Sequence, residues 1–412
     1  MKVEEVVRGL DLPTTMAFLG PNDILVLEKD KGTVQRIVNG KILPEPLLDV
    51  NVATSVERCM CGIAAVSKSS SSNVGSTTTY VFLYFTEAEI TDSEDVTQGK
   101  DPLGNRLYRY ELDNNNNKLI NPVLLLDLPA TPGPRHNGGA IMIGPDNYLY
   151  IPIGDVDGSG NGKETKAQNY VDGIEPDGRG GILRITQDGG VVGGGGILGN
   201  EDPLNKYYAY GIRNSFGFDF DPVTGNIWDT ENGPGDGPGE GDEINLVEPG
   251  FNSGWQEIHG IASIAVDNNN FNPNDDLVNF EGKGKYSDPE FAWIETVGPT
   301  ALKFLNSDNK LGMQYVNDMF VGDVHMGNIY HFDLNESRTE LILGGLLADK
   351  VADTDSELES SAADIGNGND NGGGIIFGKG FGGITDLEVG PDGYLYVVSI
   401  GQGAIYRVVQ SQ

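Results

Sequence analysis

The chain reads as all-β, a six-bladed β-propeller of four-stranded antiparallel blades. Three observations point there: glycine supplies 59 of 412 residues, roughly twice ordinary usage; helical periodicity is weak nearly everywhere; and short strands alternate with Gly/Pro/Asp/Asn turns in a unit that recurs along the chain. Similar multi-stranded units that close on themselves favour a propeller over a sandwich or barrel.

The unit begins with a turn, GPND at 20–23, GPDN at 144–147, DPVTGN at 221–226, NSDN at 306–309 and GPDG at 390–393. Each leads into an apolar strand, DILVLEK, YLYIPIGD, IWDTENG, DMFVGD after a longer connection, and YLYVVS. Six closing strands resemble one another: TVQRIV, RLYRYEL, GILRITQ, EINLVE, NIYHFDL and AIYRVV. The second unit carries a serine-rich insertion, Ser67 to Ser76, in place of its turn. The initial VEEVVRGLDLP is expected to pair with the last blade and close the ring, which also hides edge strands. Residues 1–412 therefore form one domain with loop insertions at about 67–79, 193–206, 262–290 and 349–374. The Asn tracts 114–117 and 268–270 and the acidic stretch 349–370 read as solvated loops.

Asp plus Glu number 61 against 27 Lys plus Arg, a net charge of −34. That field repels phosphate backbones and anionic headgroups, so nucleic acid and membrane surfaces are excluded as partners. The longest strongly apolar run, Tyr80 to Phe85, is strand-sized, far short of the roughly 20 residues of a membrane helix. The amino terminus, MKVEEVV, has no apolar signal core; we expect a mature extracellular or cell-surface chain whose signal has been removed. Two cysteines, Cys59 and Cys61, cannot form a disulfide framework. At strand spacing they would lie about 6.6–6.8 Å apart on one face, marginal for a bridge, and read as small buried residues; the alternative is a soft-metal or redox role beside His136 and His325. His259 and His331 read as structural, the latter within a closing strand.

Three constellations carry chemistry. Arg135-His136-Asn137-Gly138-Gly139 is followed one strand later by Ile153-Gly154-Asp155, which can bring imidazole and carboxylate together as base and orienter. The segment from Glu231 to Glu243 holds five glycines and five carboxylates in thirteen residues, a mixture of carbonyl and acidic oxygen that suits Ca²⁺. The loop 155–161 is a second oxygen-rich candidate, without the later Glu of an EF-hand. Tyr210-Gly211-Ile212-Arg213-Asn214 offers a fixed cation and an amide to an anionic ligand.

Together, RHNGGAIMIGPDNYLYIPIGD, AQN with GRGGILRI, YGIRNSFGFDFDP, TENGPG…GDEINLVEPGFNSGW and DLEVGPDGYLYVV resemble the soluble pyrroloquinoline quinone (PQQ) dependent aldose dehydrogenases, the glucose/sorbosone dehydrogenase family, in order from about Leu12 to Val408. The resemblance implies Ca²⁺- and PQQ-dependent oxidation of an aldose at its anomeric carbon, with a sugar substrate and a separate electron acceptor as partners and homo-oligomerisation or surface assembly as an option. It implies His136 as catalytic base and Asp155 as its orienter. Gln168 is implied as a substrate-side amide, and Glu57, Arg213, Asn214, His325 and Thr385 as cofactor-side positions. Gly233 and Pro234 are implied to hold Ca²⁺ through their carbonyls, with Asp242 and Glu243 near the ion.

The chain also departs from the family pattern. An Arg-x-Arg-Asp segment of the last blade appears as Gly383-Ile384-Thr385-Asp386, a Ser-Leu-Lys of the fifth as Asp323-Val324-His325, and Glu-x-Gly-Leu-Leu-Gly as Glu57-Arg58-Cys59-Met60-Cys61-Gly62. Three lost charge-assisted contacts at roughly 1.5–3 kcal/mol each predict weakened PQQ binding. The rival reading is a non-catalytic, calcium-binding propeller with a binding or structural role.

Overall fold

The computed structural model describes residues 1–69, 77–157, 162–235, 240–265, 271–354, 357–358 and 374–411. Its strands fall into six sheets, and its two turn-length helical types contribute only segments of three or four residues. The sheets start with Pro13–Gly20, Met60–Ser69, Met142–Ile143, Ser215–Phe220, Pro299–Phe304 and Ile384–Val389. These first strands, with Leu149–Ile153 helping in the third sheet, pack neighbour to neighbour in a closed ring, the last against the first. This is a propeller arrangement.

Strand sequences explain why the sheets stack. In Leu149–Ile153 and Ile227–Glu231 every residue is buried, because both faces of a central strand are covered by neighbouring sheets. The buried apolar residues accordingly divide into six clusters, each bridging two adjacent sheets. Leu25, Leu27 and Val34 meet Ile63, Val81 and Phe85 between the first two, and Trp228 and Ile244 meet Met319, Val321 and Tyr330 between the fourth and fifth.

The six closing strands each fall on the third strand of a sheet: Thr33–Val38, Gly104–Asp113, Gly181–Ile185, Asp242–Val247, Ile329–Phe332 and Ala404–Val409. Lys2–Arg8 pairs antiparallel with Ala404–Val409 as the outer strand of the last sheet, so the two ends of the chain close the ring.

Uniform four-stranded antiparallel blades are not what forms. Only the second, fifth and sixth sheets are four-stranded. The third gains Phe251–Asn252 and Lys285–Tyr286, and the fourth Val351–Ala352, all paired in parallel; Lys41–Ile42 and Leu48–Asp49 both pair with Thr33–Val38 in the first. Long connections returning along an outer edge cap its unpaired backbone groups. The flanks of the 67–79 insertion are ladder rather than loop, with Ser67 opposite Thr79 and Ser69 opposite Thr77; residues 70–76, and most of the acidic stretch after 354, lie outside the described residues. No helix among the described residues is long and apolar enough to cross a membrane.

Candidate active site

The inner strands converge on one end of the ring. Thr14, Thr300 and Thr385 near the starts of inner strands, and Cys59, Asn214 and Gly298 just before others, line a cavity of ≈ 380 Å³ on the axis. Of the residues singled out in the sequence, Glu57, His136, Arg213, Asn214, Gly233, Pro234, Asp242, His325 and Thr385 all face it.

His136 is the most constrained of these. Its backbone is left-handed, with φ 60°, and its N–H donates to Glu57 Oε2 at 2.6 Å. Its ring Nδ1 lies 2.5 Å from Asp155 Oδ1, which leaves Nε2 as the nitrogen available for proton transfer. The packing around it demands glycine at 154: a Cβ there would sit 2.2 Å from the Arg213 carbonyl and 2.8 Å from the His136 Cβ. Asp155 is buried behind His136, and its second oxygen accepts from Trp255 Nε1 at 2.9 Å. Burial alone would raise the Asp155 pKa, but the hydrogen bond and charge of His136, the Trp255 N–H and the nearby Arg213 outweigh it and hold the carboxyl below its ordinary range.

Arg213 donates its backbone N–H to Glu231 Oε1 at 2.5 Å and a guanidinium N–H to the Asn232 carbonyl at 2.7 Å. Its guanidinium lies 5.3 Å from the Trp255 ring centre, a cation–π distance. Burial pulls its pKa down while Asp155, Glu231, Glu57 and Asp242 pull it up; burial prevails. Asn214 Nδ2 reaches Glu57 Oε2 at 3.3 Å, so one carboxylate oxygen ties together the strand-entry segments of His136 and Asn214.

The Glu231–Glu243 segment departs from a flexible acidic loop where it is described. Asp242 accepts the N–H groups of Gly233 at 2.9 Å, Val297 at 2.7 Å and Gly298 at 2.8 Å. It therefore clasps the loop and spends its lone pairs on backbone, while the carbonyls of Gly233 and Pro234 accept no hydrogen bond from the described residues. Gly233 and Pro234 both line the cavity, and backbone carbonyls are among the oxygen donors that Ca²⁺ takes. Glu243 does not face the cavity. It is buried beneath, accepting from Gly260 N and from Asn245 Nδ2 at 3.2 Å, and it stands opposite Glu231 in the ladder. Burial, then mutual repulsion, raises the pKa of Glu231; burial likewise raises Glu243 against its N–H partners, and pushes nearby Asp229 up to about 7. Residues 236–239 of this segment and 158–161 of the second oxygen-rich loop lie outside the described residues.

Other expectations are corrected. Gln168 is fully buried; its Oε1 accepts the Thr165 N–H at 2.9 Å and its carbonyl that of Gln256 at 2.9 Å, so it caps a turn instead of reaching the cavity. Thr385 donates to the Pro13 carbonyl at 3.0 Å. Gly383 lies at φ +87°, with the Val324 carbonyl 2.9 Å from where a Cβ would stand, so the backbone itself has no place for an arginine there. Cys59 and Cys61 are paired as a disulfide with Cα atoms 5.3 Å apart; an irregularity in pairing between Met60 and Gly62 departs from the extended spacing assumed for them. One cavity cation had escaped notice, Lys29, as had Trp255, and Arg135 had been named without a role of its own. Lys29 sits just past a strand end among other charges, and a single charge in such a turn carries no signal of direction.

The fold is a propeller whose axial cavity is lined by a histidine that a buried aspartate orients. The chain belongs to the glucose/sorbosone dehydrogenase family, whose model matches residues 10–407. It is 24% identical over 408 residues to slr1608 of Synechocystis sp. (strain ATCC 27184 / PCC 6803 / Kazusa), covering 97% of this chain and 84% of that one. It is also 24% identical over 276 residues to the aldose sugar dehydrogenase YliI of Escherichia coli (strain K12), covering 66% of this chain and 59% of that one. The PQQ-bound aldose sugar dehydrogenase of Streptomyces coelicolor shares the fold, with a TM-score of 0.64 at 22% identity over 98% of this chain and 97% of that one.

Proposed function

We propose that this protein is a calcium-assisted, PQQ-dependent aldose dehydrogenase, reading each of the six sheets as one blade. The observation that carries this is His136, held from behind by Asp155 and lining the same cavity as Arg213, Asn214, Gly233 and Pro234. PQQ, when bound, supplies a hydride acceptor, and Ca²⁺ on the two carbonyls a Lewis acid for it. His136 Nε2 takes the proton of the anomeric hydroxyl; Asp155, fixed by Trp255, keeps the proton on Nδ1 and stabilises the imidazolium that forms. Glu57 keeps the His136 backbone in place.

Lys29, Arg135 and Arg213 are among the residues that line the cavity, in other positions than the arginines missing at 383 and 385. They support carboxylate recognition by a rearranged set of contacts and favour an enzyme over the non-catalytic reading. Titrating the protein with PQQ and Ca²⁺ and following aldose-dependent dye reduction tests this. Saturable PQQ binding with turnover is expected; no binding at high micromolar PQQ would refute it. We place the protein outside the cell, where a net charge of −34 is screened by salt and divalent cations.

A further inference from the structure

We propose that Asp318, His331 and Asp333, on the outer part of the fifth sheet, form a binding site for a divalent transition metal of the Zn²⁺ class. None of the three lines the axial cavity. Met319 pairs with Phe332 across the ladder; Asp318 directly precedes the first of these strands and Asp333 directly follows the second. Two carboxylates brought this close favour a cation between them.

His331 brings its ring to that point. Its Nε2 is 2.9 Å from Asp318 Oδ2 and 3.7 Å from Asp333 Oδ1, and the three ligand atoms all lie within 4.8 Å of one another. Two ligands at about 2.0–2.1 Å from a tetrahedral ion stand roughly 3.3–3.4 Å apart, between the two measured separations. The ring is held edge-on to Tyr315 at 5.1 Å and beside Phe320 at 4.9 Å, and Asp318 is 8% exposed; two of the three ligands are thus in place before any ion arrives. Imidazole with two carboxylates selects a borderline ion over Ca²⁺, and the exposed side leaves room for water as a fourth ligand. The competing state is a protonated His331 bridging both acids.

Co²⁺ added to the full chain in excess Ca²⁺, which fills oxygen-only sites, separates the two. The expected result is one equivalent bound with the visible absorption of a four-coordinate Co²⁺–imidazole site, displaced by Zn²⁺, and affinity lowered at least tenfold in His331→Ala and in the more exposed Asp333→Asn. Absence of saturable Co²⁺ and Zn²⁺ binding below millimolar, or binding equal in wild type and Asp333→Asn, would overturn the site in favour of the imidazolium bridge.

Discussion

At His136, three constraints meet in one residue: a left-handed backbone, an N–H bound by Glu57 and a ring bound by Asp155. A base held so firmly loses little on reaching the transition state. His136→Asn is expected to lower aldose-dependent dye reduction by about 10²–10⁴, the usual size of a general-base contribution; activity retained within tenfold would assign the proton elsewhere. Trp255→Phe tests the layer behind it. Removing an N–H from an ionised carboxylate costs about 1.5–3 kcal/mol, so kcat should fall roughly 10- to 100-fold with KM little changed, and a change confined to KM would place Trp255 in sugar binding instead. The histidine and its aspartate were legible because they flank one strand and its preceding loop in sequence. Trp255, a hundred residues from Asp155, was not, since its contact depends on how loops of different sheets fold over the cavity. Gln168 misled for the same reason: its place in the chain fits the family pattern, while its side chain turns back to cap Thr165.

At the scale of elements, the fourth sheet pairs Glu231 with Glu243 across adjacent strands and sets Asp229 close by, all fully buried. Burial raises these carboxyls above their ordinary values, Asp229 to about 7. The folded chain then binds more protons than the unfolded one between about pH 4 and pH 7, so the stability they confer is present below the unfolded pKa and declines as pH rises through the folded one. Without divalent cations, the melting temperature should therefore drop from pH 5 to pH 8, and Asp229→Asn should flatten that slope; an equally steep slope in the variant would show that other groups govern it. Ca²⁺ held by the Gly233 and Pro234 carbonyls should add stability of its own to this segment. At a hundredfold excess over its Kd it contributes about 2.7 kcal/mol, and a chelator that leaves the melting temperature at pH 8 unchanged would remove Ca²⁺ from the account of this sheet. Turn-flanked strands such as Leu149–Ile153 were readable from their apolar runs. The two-residue parallel additions, Phe251–Asn252 and Val351–Ala352, were not: a strand that short has no period, and its pairing is decided by the connection that delivers it.

For the whole molecule, stability turns on ring closure. The first two sheets are built from consecutive chain and the next three also collect strands from later connections; the sixth takes its outer strand, Lys2–Arg8, from the opposite end, with Val3 opposite Val408, Val7 buried and Glu4 bound to Arg407 at 2.7 Å. This was legible because the first strand directly precedes the first repeat and the last repeat lacks a strand of its own. Removing residues 1–8 should leave the edge of Ala404–Val409 with unpaired backbone groups, a template for pairing with another chain. We expect a lower melting temperature and self-association in size-exclusion chromatography, partly reversed by a synthetic KVEEVVR peptide adding itself as the missing strand. A circular permutant that joins the two ends by a short linker and opens the chain in the exposed Asn114–Asn117 turn keeps every pairing of the last sheet, and should melt close to the parent. If the truncated chain melts with the parent and stays monomeric, closure by Lys2–Arg8 contributes little, and the ring is held by its six apolar interfaces alone.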